Sequence, residues 1–230
     1  VPAASLELLA PVPRPRAIVC VGRNDVAHAH ERGFDAPPEP ILFTKFGTSV
    51  AAPAAVVTVP TVAEEPDYEA ELGVVIGRRA HGVRRADAFD HVAGYTCLND
   101  LTARDLQRRV SQWTRGKAID GFLPMGPALV TSDEIGDPGR LQIDCRVNGE
   151  TVQSANTSLM IFPIDELIEF ITQTVTLEPG DVIATGTPAG IGAAMDPPRF
   201  LNDGDLVEVE IERIGTLETR ISAPHRPVAR

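Results

Sequence analysis

The chain lacks any apolar run long enough to cross a bilayer. Its apolar stretches, such as Gly73–Gly77 and Ala51–Val57, fall far short of the roughly 20 residues a membrane helix needs. No basic segment followed by an apolar one opens the sequence, so no secretory signal is expected. Positive charge is scarce: 21 Lys and Arg stand against 32 Asp and Glu, a net charge of −11. A surface of that sign repels phosphate backbones and argues against nucleic-acid binding. Cysteine is scarcer still. Cys20, Cys97 and Cys145 are odd in number and none forms a CxxC pair. Cys20 and Cys97 lie within apolar stretches and read as small buried hydrophobes, which points to a reducing, cytoplasmic location. Internal repeats are absent, and the proline-rich head is the only biased segment.

What is present fits one domain of ordinary size: 230 residues, 43% hydrophobic and 23% charged, close to the globular average. Residues 1–16, with Pro11, Pro13 and Pro15, read as an extended lead-in. Residues 17–230 read as a single domain. Ala17–Val21 is a short apolar strand, and Asn24–Arg32 a helix stopped at Gly33. Ile41–Phe43, Ala55–Val59, Tyr68–Ile76 and Ala93–Leu98 read as strands, Ala88–Val92 and Thr102–Val110 as helical. Leu141–Val147 alternates and meets Asn148-Gly149, the strongest short hairpin signal, with Thr151–Gln153 returning. Pro163–Gln173 is an amphipathic helix whose stripe is Ile164, Leu167, Ile168 and Ile171. Asp181–Ala184 and Leu206–Ile211 complete the strands. Many strands and few helices, with no regular βα rhythm, predict an α+β or distorted all-β architecture.

Carboxylates carry the first chemical signal. Glu69 and Glu71, one residue apart on a strand, project to the same face. Two carboxylates pointing together repel unless a cation lies between them, and hard divalent ions favour oxygen ligands. The same spacing also suits two solvent-facing glutamates. Asp100 ends an apolar strand, where it serves either as a third ligand or as a plain helix cap. His28 and Glu31, three apart, share a helical face, so the carboxylate can orient the imidazole; a surface His/Glu pair has the same spacing.

Six segments, in order, resemble the blocks of the fumarylacetoacetate hydrolase superfamily. GRNDVAHAHERG (Gly22–Gly33) is similar to its GxNYxxHxxE lid. PILFTKF (Pro40–Phe46) resembles P-x-x-F-x-K, and DYEAELGVVIG (Asp67–Gly77) the E-x-E-L-x-x-V-I-G metal strand. GYTCLNDLTARDLQ (Gly94–Gln107) resembles GYTxxNDxxARDxQ, KAIDGFLPMGP (Lys117–Pro127) resembles KxFDxxxPxGP, and ATGTPAGIG (Ala184–Gly192) matches the GTPxGxG loop.

The resemblance implies a β-rich mixed sheet rolled into a partly open barrel, usually paired as a homodimer. It implies Glu69, Glu71 and Asp100 as ligands of Mg²⁺ or Mn²⁺. It places His28, Glu31 and Lys117 in catalysis, and Arg23, Lys45, Arg104, Gln107 and Thr187 around a small 2-oxo acid. The expected reaction is hydrolysis of a carbon–carbon bond in an acylpyruvate such as fumarylpyruvate, with His28 activating water and Lys117 stabilising the oxyanion. Decarboxylation of an oxaloacetate-type acid and isomerisation of a hydroxydienoate are the related alternatives, and a non-catalytic ligand-binding member is the alternative of another class. Where the family has Tyr after the lid asparagine this chain has Asp25, an acid expected to disturb the lid or the histidine.

Overall fold

The computed structural model describes residues 7–224. Its strands are β1 (Ile18–Gly22), β2 (Ile41–Thr44), β3 (Val50–Ala51), β4 (Val56–Thr58), β5 (Pro66–Asp67), β6 (Ala70–Ile76) and β7 (Val92–Asn99). They continue with β8 (Thr102–Ala103), β9 (Leu123–Thr131), β10 (Gln142–Val147), β11 (Glu150–Asn156), β12 (Val182–Ala184), β13 (Leu206–Ile211) and β14 (Gly215–Ser222). The helices are short: α1 (Val26–Glu31), α2 (Arg104–Gln107), α3 (Thr114–Lys117), α4 (Ser132–Ile135) and α5 (Ile164–Thr172). Seven strands join as β2-β1-β12-β6-β7-β9-β3, a mixed sheet curled into a half-barrel, and five join as β11-β10-β13-β14-β4. The small pair β5-β8 stands apart. The fold is α+β.

Alternation along the strands builds two cores. Leu72 and Val74 of β6 and Tyr95 and Cys97 of β7 face Cys145, Val207, Val209 and Leu217 of the five-stranded sheet. Leu167, Ile168 and Ile171 of α5 join this core, so the stripe read from sequence is its buried face. The other face of the large sheet carries Ile18, Cys20, Val75, Leu98, Leu123 and Val182. With period 2, Glu71 shares that second face with Val75.

Within the lead-in Ala10 is buried and Val12 packs on the second core, while residues 1–6 lie outside the described residues. Three expectations change. The strand expected from Tyr68 starts at Ala70, because the Tyr68 N–H turns to the Asp67 carboxylate and the Glu69 N–H to the Asn99 side chain. The helix expected over Thr102–Val110 shrinks to α2, since Thr102 and Ala103 pair with β5 instead. The segment expected helical at Ala88–Val92 is a 3-10 turn over Arg85–His91. Strands β9 and β14 were not anticipated. The hairpin at Asn148-Gly149 is as read, with both residues at positive φ (53° and 80°) and β10 paired to β11.

Among the described residues no helix is long and apolar enough to cross a membrane. All three cysteines are free and buried. Burial pushes the Cys97 thiol up to about 12 and those of Cys20 and Cys145 upward as well. Since the thiolate is the reactive form, the native protein is expected to give no reaction with an aromatic disulfide reagent at pH 8, against three equivalents in denaturant. Rapid native reaction would contradict this packing.

Candidate active site

The antiparallel register of β6 and β7 assembles the acidic cluster. Ala70 pairs with Asn99, and the Asp100 N–H donates to the Glu69 carbonyl (2.8 Å), so Glu69 stands opposite Asp100 with Glu71 one pleat along. Carboxylate oxygens of Glu69, Glu71 and Asp100 all lie within 4.8 Å of one another. None of the three residues is more than 5% exposed, so the alternative of solvent-facing glutamates falls. Asp100 is no helix cap either: α2 begins after Ala103 and has no side-chain cap.

Buried cations surround this cluster. Lys117 Nζ donates to Glu69 Oε2 (2.6 Å) and Asp100 Oδ2 (2.7 Å). Lys45 Nζ donates to Asp100 Oδ1 (2.5 Å) and the Leu101 carbonyl (3.0 Å). Arg104 reaches Asp67 Oδ2 through Nε (2.8 Å) and Glu69 Oε1 through Nη1 (2.7 Å). Four buried carboxylates, counting Asp67, thus face three buried cations. The uncompensated member is Glu71, which among the described residues makes no ion pair and accepts only the Gly186 N–H (3.0 Å). Burial, then the charges of Asp100 and Glu69, push its carboxyl well above the usual range. For Glu69, burial acts the same way, but Lys117 and Arg104 outweigh it and hold the carboxyl low. A trio of oxygen donors with surplus negative charge fits a hard divalent ion.

One loop orders the acids around this centre. In the segment 186–193, the Gly186 N–H donates to Glu71, the Gly190 N–H to Glu31 Oε2 (2.8 Å), and the Gly192 and Ala193 N–H groups to Asp67 (2.9 and 3.0 Å). Such close approach excludes side chains: a Cβ on Gly192 would sit 1.9 Å from the Arg199 carbonyl oxygen. Gln153 ties the same loop to β6, accepting from the Ala70 N–H (3.0 Å) and donating to Thr187 Oγ1 (2.8 Å).

Helix α1, the segment that resembles the family's lid, borders the same cavity as the cluster through His28. His28 is 7% exposed, and its Nδ1 meets Glu31 Oε1 at 2.7 Å. A carboxylate accepts, so Nδ1 carries a proton, and in the neutral imidazole Nε2 is the acceptor. Asp25 has a structural role beside the dyad: its side chain accepts the His28 backbone N–H (2.9 Å) and caps α1.

A cavity of about 300 Å³ opens here, lined by Glu69, Glu71, His28, Lys117, Arg104, Gln107, Thr187 and Arg23 among others. These expected site residues therefore share one space. Lys45 does not reach it: its side chain is fully buried behind Asp100, where it neutralises that carboxylate. Arg104 lines the cavity but spends two nitrogens on Asp67 and Glu69, leaving Nη2 buried and unpaired. Sequence reasoning missed Asp67, Gln153, Arg32, Arg108, Phe34 and Trp113. Asp67 opens one motif block and Arg32 lies within another, so both were within reach of pattern reading; Gln153 and Trp113 arrive from strands and turns distant in sequence.

Residues 17–222 match the fumarylacetoacetate (FAA) hydrolase C-terminal family. The mitochondrial oxaloacetate tautomerase FAHD2A of Homo sapiens is 48% identical over 222 residues, covering 96% of this chain and 71% of that protein. The structure of 5-carboxymethyl-2-hydroxymuconate delta-isomerase from Mycobacterium smegmatis superposes with a TM-score of 0.87 at 39% identity, covering 98% of this chain and 86% of that one. That of fumarylacetoacetate hydrolase (EaFAH) from psychrophilic Exiguobacterium antarcticum gives 0.88 at 42% identity, covering 95% and 79%.

Glu71→Gln tests the ion site. Losing even a partner of a metal ligand typically costs about 10–100-fold in affinity, so this variant is expected to bind Mg²⁺ or Mn²⁺ at least tenfold more weakly by calorimetry, with its circular dichroism unchanged. Unaltered affinity would remove Glu71 from the ligand set.

Proposed function

The chain belongs to the fumarylacetoacetate hydrolase family and is an enzyme of that superfamily, and from that premise we propose that it moves a proton between carbon and oxygen of a small 2-oxo acid. The reaction is keto–enol tautomerisation of an oxaloacetate-type acid, dependent on Mg²⁺ or Mn²⁺. The observation that carries this reading is that buried His28, bonded to Glu31, lines the same cavity as Glu69 and Glu71 of the Glu69–Glu71–Asp100 cluster.

Glu69, Glu71 and Asp100 would hold the ion, which when bound supplies an electron sink for the 2-oxo carboxylate end of the substrate. His28 lines the cavity, and its Nε2, the acceptor of the neutral ring, takes the proton from the carbon beside the keto group. Glu31, held by the Gly190 N–H, keeps the imidazole in that tautomer and balances the imidazolium charge. Lys117 lines the cavity beside Glu69 and is placed to steady the oxygen on which negative charge develops. Delivering that proton to the enolate oxygen completes the tautomerisation with no water consumed. Hydrolysis of an acylpyruvate, the first expectation from the sequence, uses the same dyad to activate water; the likeness to the Exiguobacterium hydrolase favours it as the second reading. The tautomerase reading is preferred for the 48% identity to a protein of that name.

Homodimerisation carries over as a proposal, supported by Phe46, 54% exposed beside the edge strand β2. Light scattering is expected to return twice 24.6 kDa; a monomer mass would remove it.

For the reaction, enol-oxaloacetate is offered to the Mg²⁺-loaded protein and decay of the enol absorbance followed, with products identified by NMR. His28→Ala is expected to lower kcat by about 10²–10⁴-fold, and EDTA to abolish the activity. Cleavage of acetylpyruvate or fumarylpyruvate to pyruvate and a second acid, without tautomerase turnover, would replace this reading with the hydrolase. Release of CO₂ from oxaloacetate as the enzymatic product would replace it with the decarboxylase.

A further inference from the structure

The cavity wall is cationic in a protein of net charge −11. Arg23, Arg32, Arg104, Arg108 and Lys117 line it, against Glu69 and Glu71. Three of the five are already paired: Lys117 with Glu69 and Asp100, Arg104 with Asp67 and Glu69, and Arg108 with Glu65. Arg23 and Arg32 make no ion pair among the described residues. Burial and the charge of Arg32 both pull the Arg23 guanidinium down from its ordinary value. Burial and the charges of Arg104 and Arg108 do the same to Arg32, outweighing the opposite pull of Asp67 and Glu31. Two half-buried guanidiniums that repel their neighbours call for an anion supplied from outside.

The local backbone singles out the same pair. Arg23 sits at φ +55°, a left-handed conformation that costs a branched or long side chain energy and recurs at functional sites. Its guanidinium stacks over the Phe34 ring, 3.4 Å from the centroid, with Trp113 at 5.8 Å. Stacking occupies the face of the guanidinium and leaves its N–H edge for a carboxylate. Arg32 is the C-cap of α1, a position that favours any cation through the helix dipole. That effect asks only for a solvated charge, whereas Arg32 is turned against the cavity.

We propose that Arg23 and Arg32 form a subsite for the distal carboxylate of a 2-oxo diacid, so that the cavity selects substrates anionic at both ends. The 2-oxo carboxylate end belongs to the metal cluster, and the two lid arginines flank the helix that carries His28. A diacid therefore neutralises the lid as it binds, and a 2-oxo monoacid leaves both arginines unpaired. The inference rests on the reading of the cavity as a 2-oxo-acid site, and its test does not depend on turnover.

Oxaloacetate and 2-oxobutyrate differ by a carboxylate in place of a methyl group. Binding of each to Mg²⁺-loaded His28→Ala protein is measured by calorimetry, alone and combined with Arg32→Gln or Arg23→Gln. A hydrogen-bonded charge contributes about 1.5–3 kcal/mol, so the diacid is expected to bind roughly 10–100-fold tighter than the monoacid. Each arginine substitution is expected to erase most of that preference and leave 2-oxobutyrate affinity unchanged. Retained preference in both variants, or equal weakening of both acids, overturns the subsite. A preference that depends on the arginines, in a wild-type protein that turns over no 2-oxo acid, upholds the subsite and sinks only the proposed reaction.

Discussion

Buried negative charge is the constraint around which this molecule is organised. Removing a carboxylate from water is costly unless cations and hydrogen bonds replace its hydration. Glu69, Glu71, Asp100 and Asp67 are all buried on or beside one end of β6 and β7. Lys45 comes from the end of β2, Arg104 from α2 and Lys117 from α3, so three separate parts of the chain must converge before the sheet end can be buried. Gly116, whose Cβ would meet the Gln107 backbone nitrogen at 2.6 Å, lets α3 pack on α2 and deliver Lys117. The balance is left incomplete at Glu71, and that residual charge is what suits the site to a divalent ion.

The glycine loop after β12 joins the other parts to this centre. Its backbone N–H groups donate to a member of the acidic cluster, to the acid behind the histidine and to the acid behind Arg104. A backbone donor is short and rigid, so the carboxylates it holds are fixed relative to one another. Asn24 adds a further tie, donating to the carbonyls of Thr185 and Phe162, which fastens the start of the lid to the same loop and to the approach to α5. Lid, loop and cluster are therefore one hydrogen-bonded unit, and the cavity lies within it.

The relatives show how little of the chemistry is decided by this unit alone. Proteins named as a tautomerase, an isomerase and a hydrolase share the family or the fold with the chain. Enolate-type negative charge develops beside a carbonyl in tautomerisation, isomerisation and carbon–carbon hydrolysis alike, so a cation site and a histidine dyad suit each of these reaction classes. Discrimination falls to the cavity wall, where the lid arginines and the aromatic pair Phe34 and Trp113 meet the rest of the substrate.

Local patterns determined much of this protein before any contact was known. The Asn148-Gly149 hairpin, the apolar stripe of α5 and the buried strand at β1 are set by turn chemistry and periodicity, which act over a few residues. Six ordered motifs likewise identified Glu69, Glu71, Asp100, His28 and Glu31, and the structure gathers them around one cavity or its edge. Strand β9 escaped because Pro124, Gly126 and Pro127 break the alternation that marks a strand; its place comes from pairing with β7 and β3. The long helix expected after Thr102 yielded to a pairing with β5 that no local pattern encodes. Lys45 looked like a pocket residue and became a buried counter-ion, and Asp25 looked like a disturbance and became a helix cap. Residue type and spacing determined which groups could ionise, ligate or cap. Which charge met which was decided only by tertiary structure, because electrostatic and hydrogen-bond energies depend on distance and burial, and both are set by strands far apart in the chain.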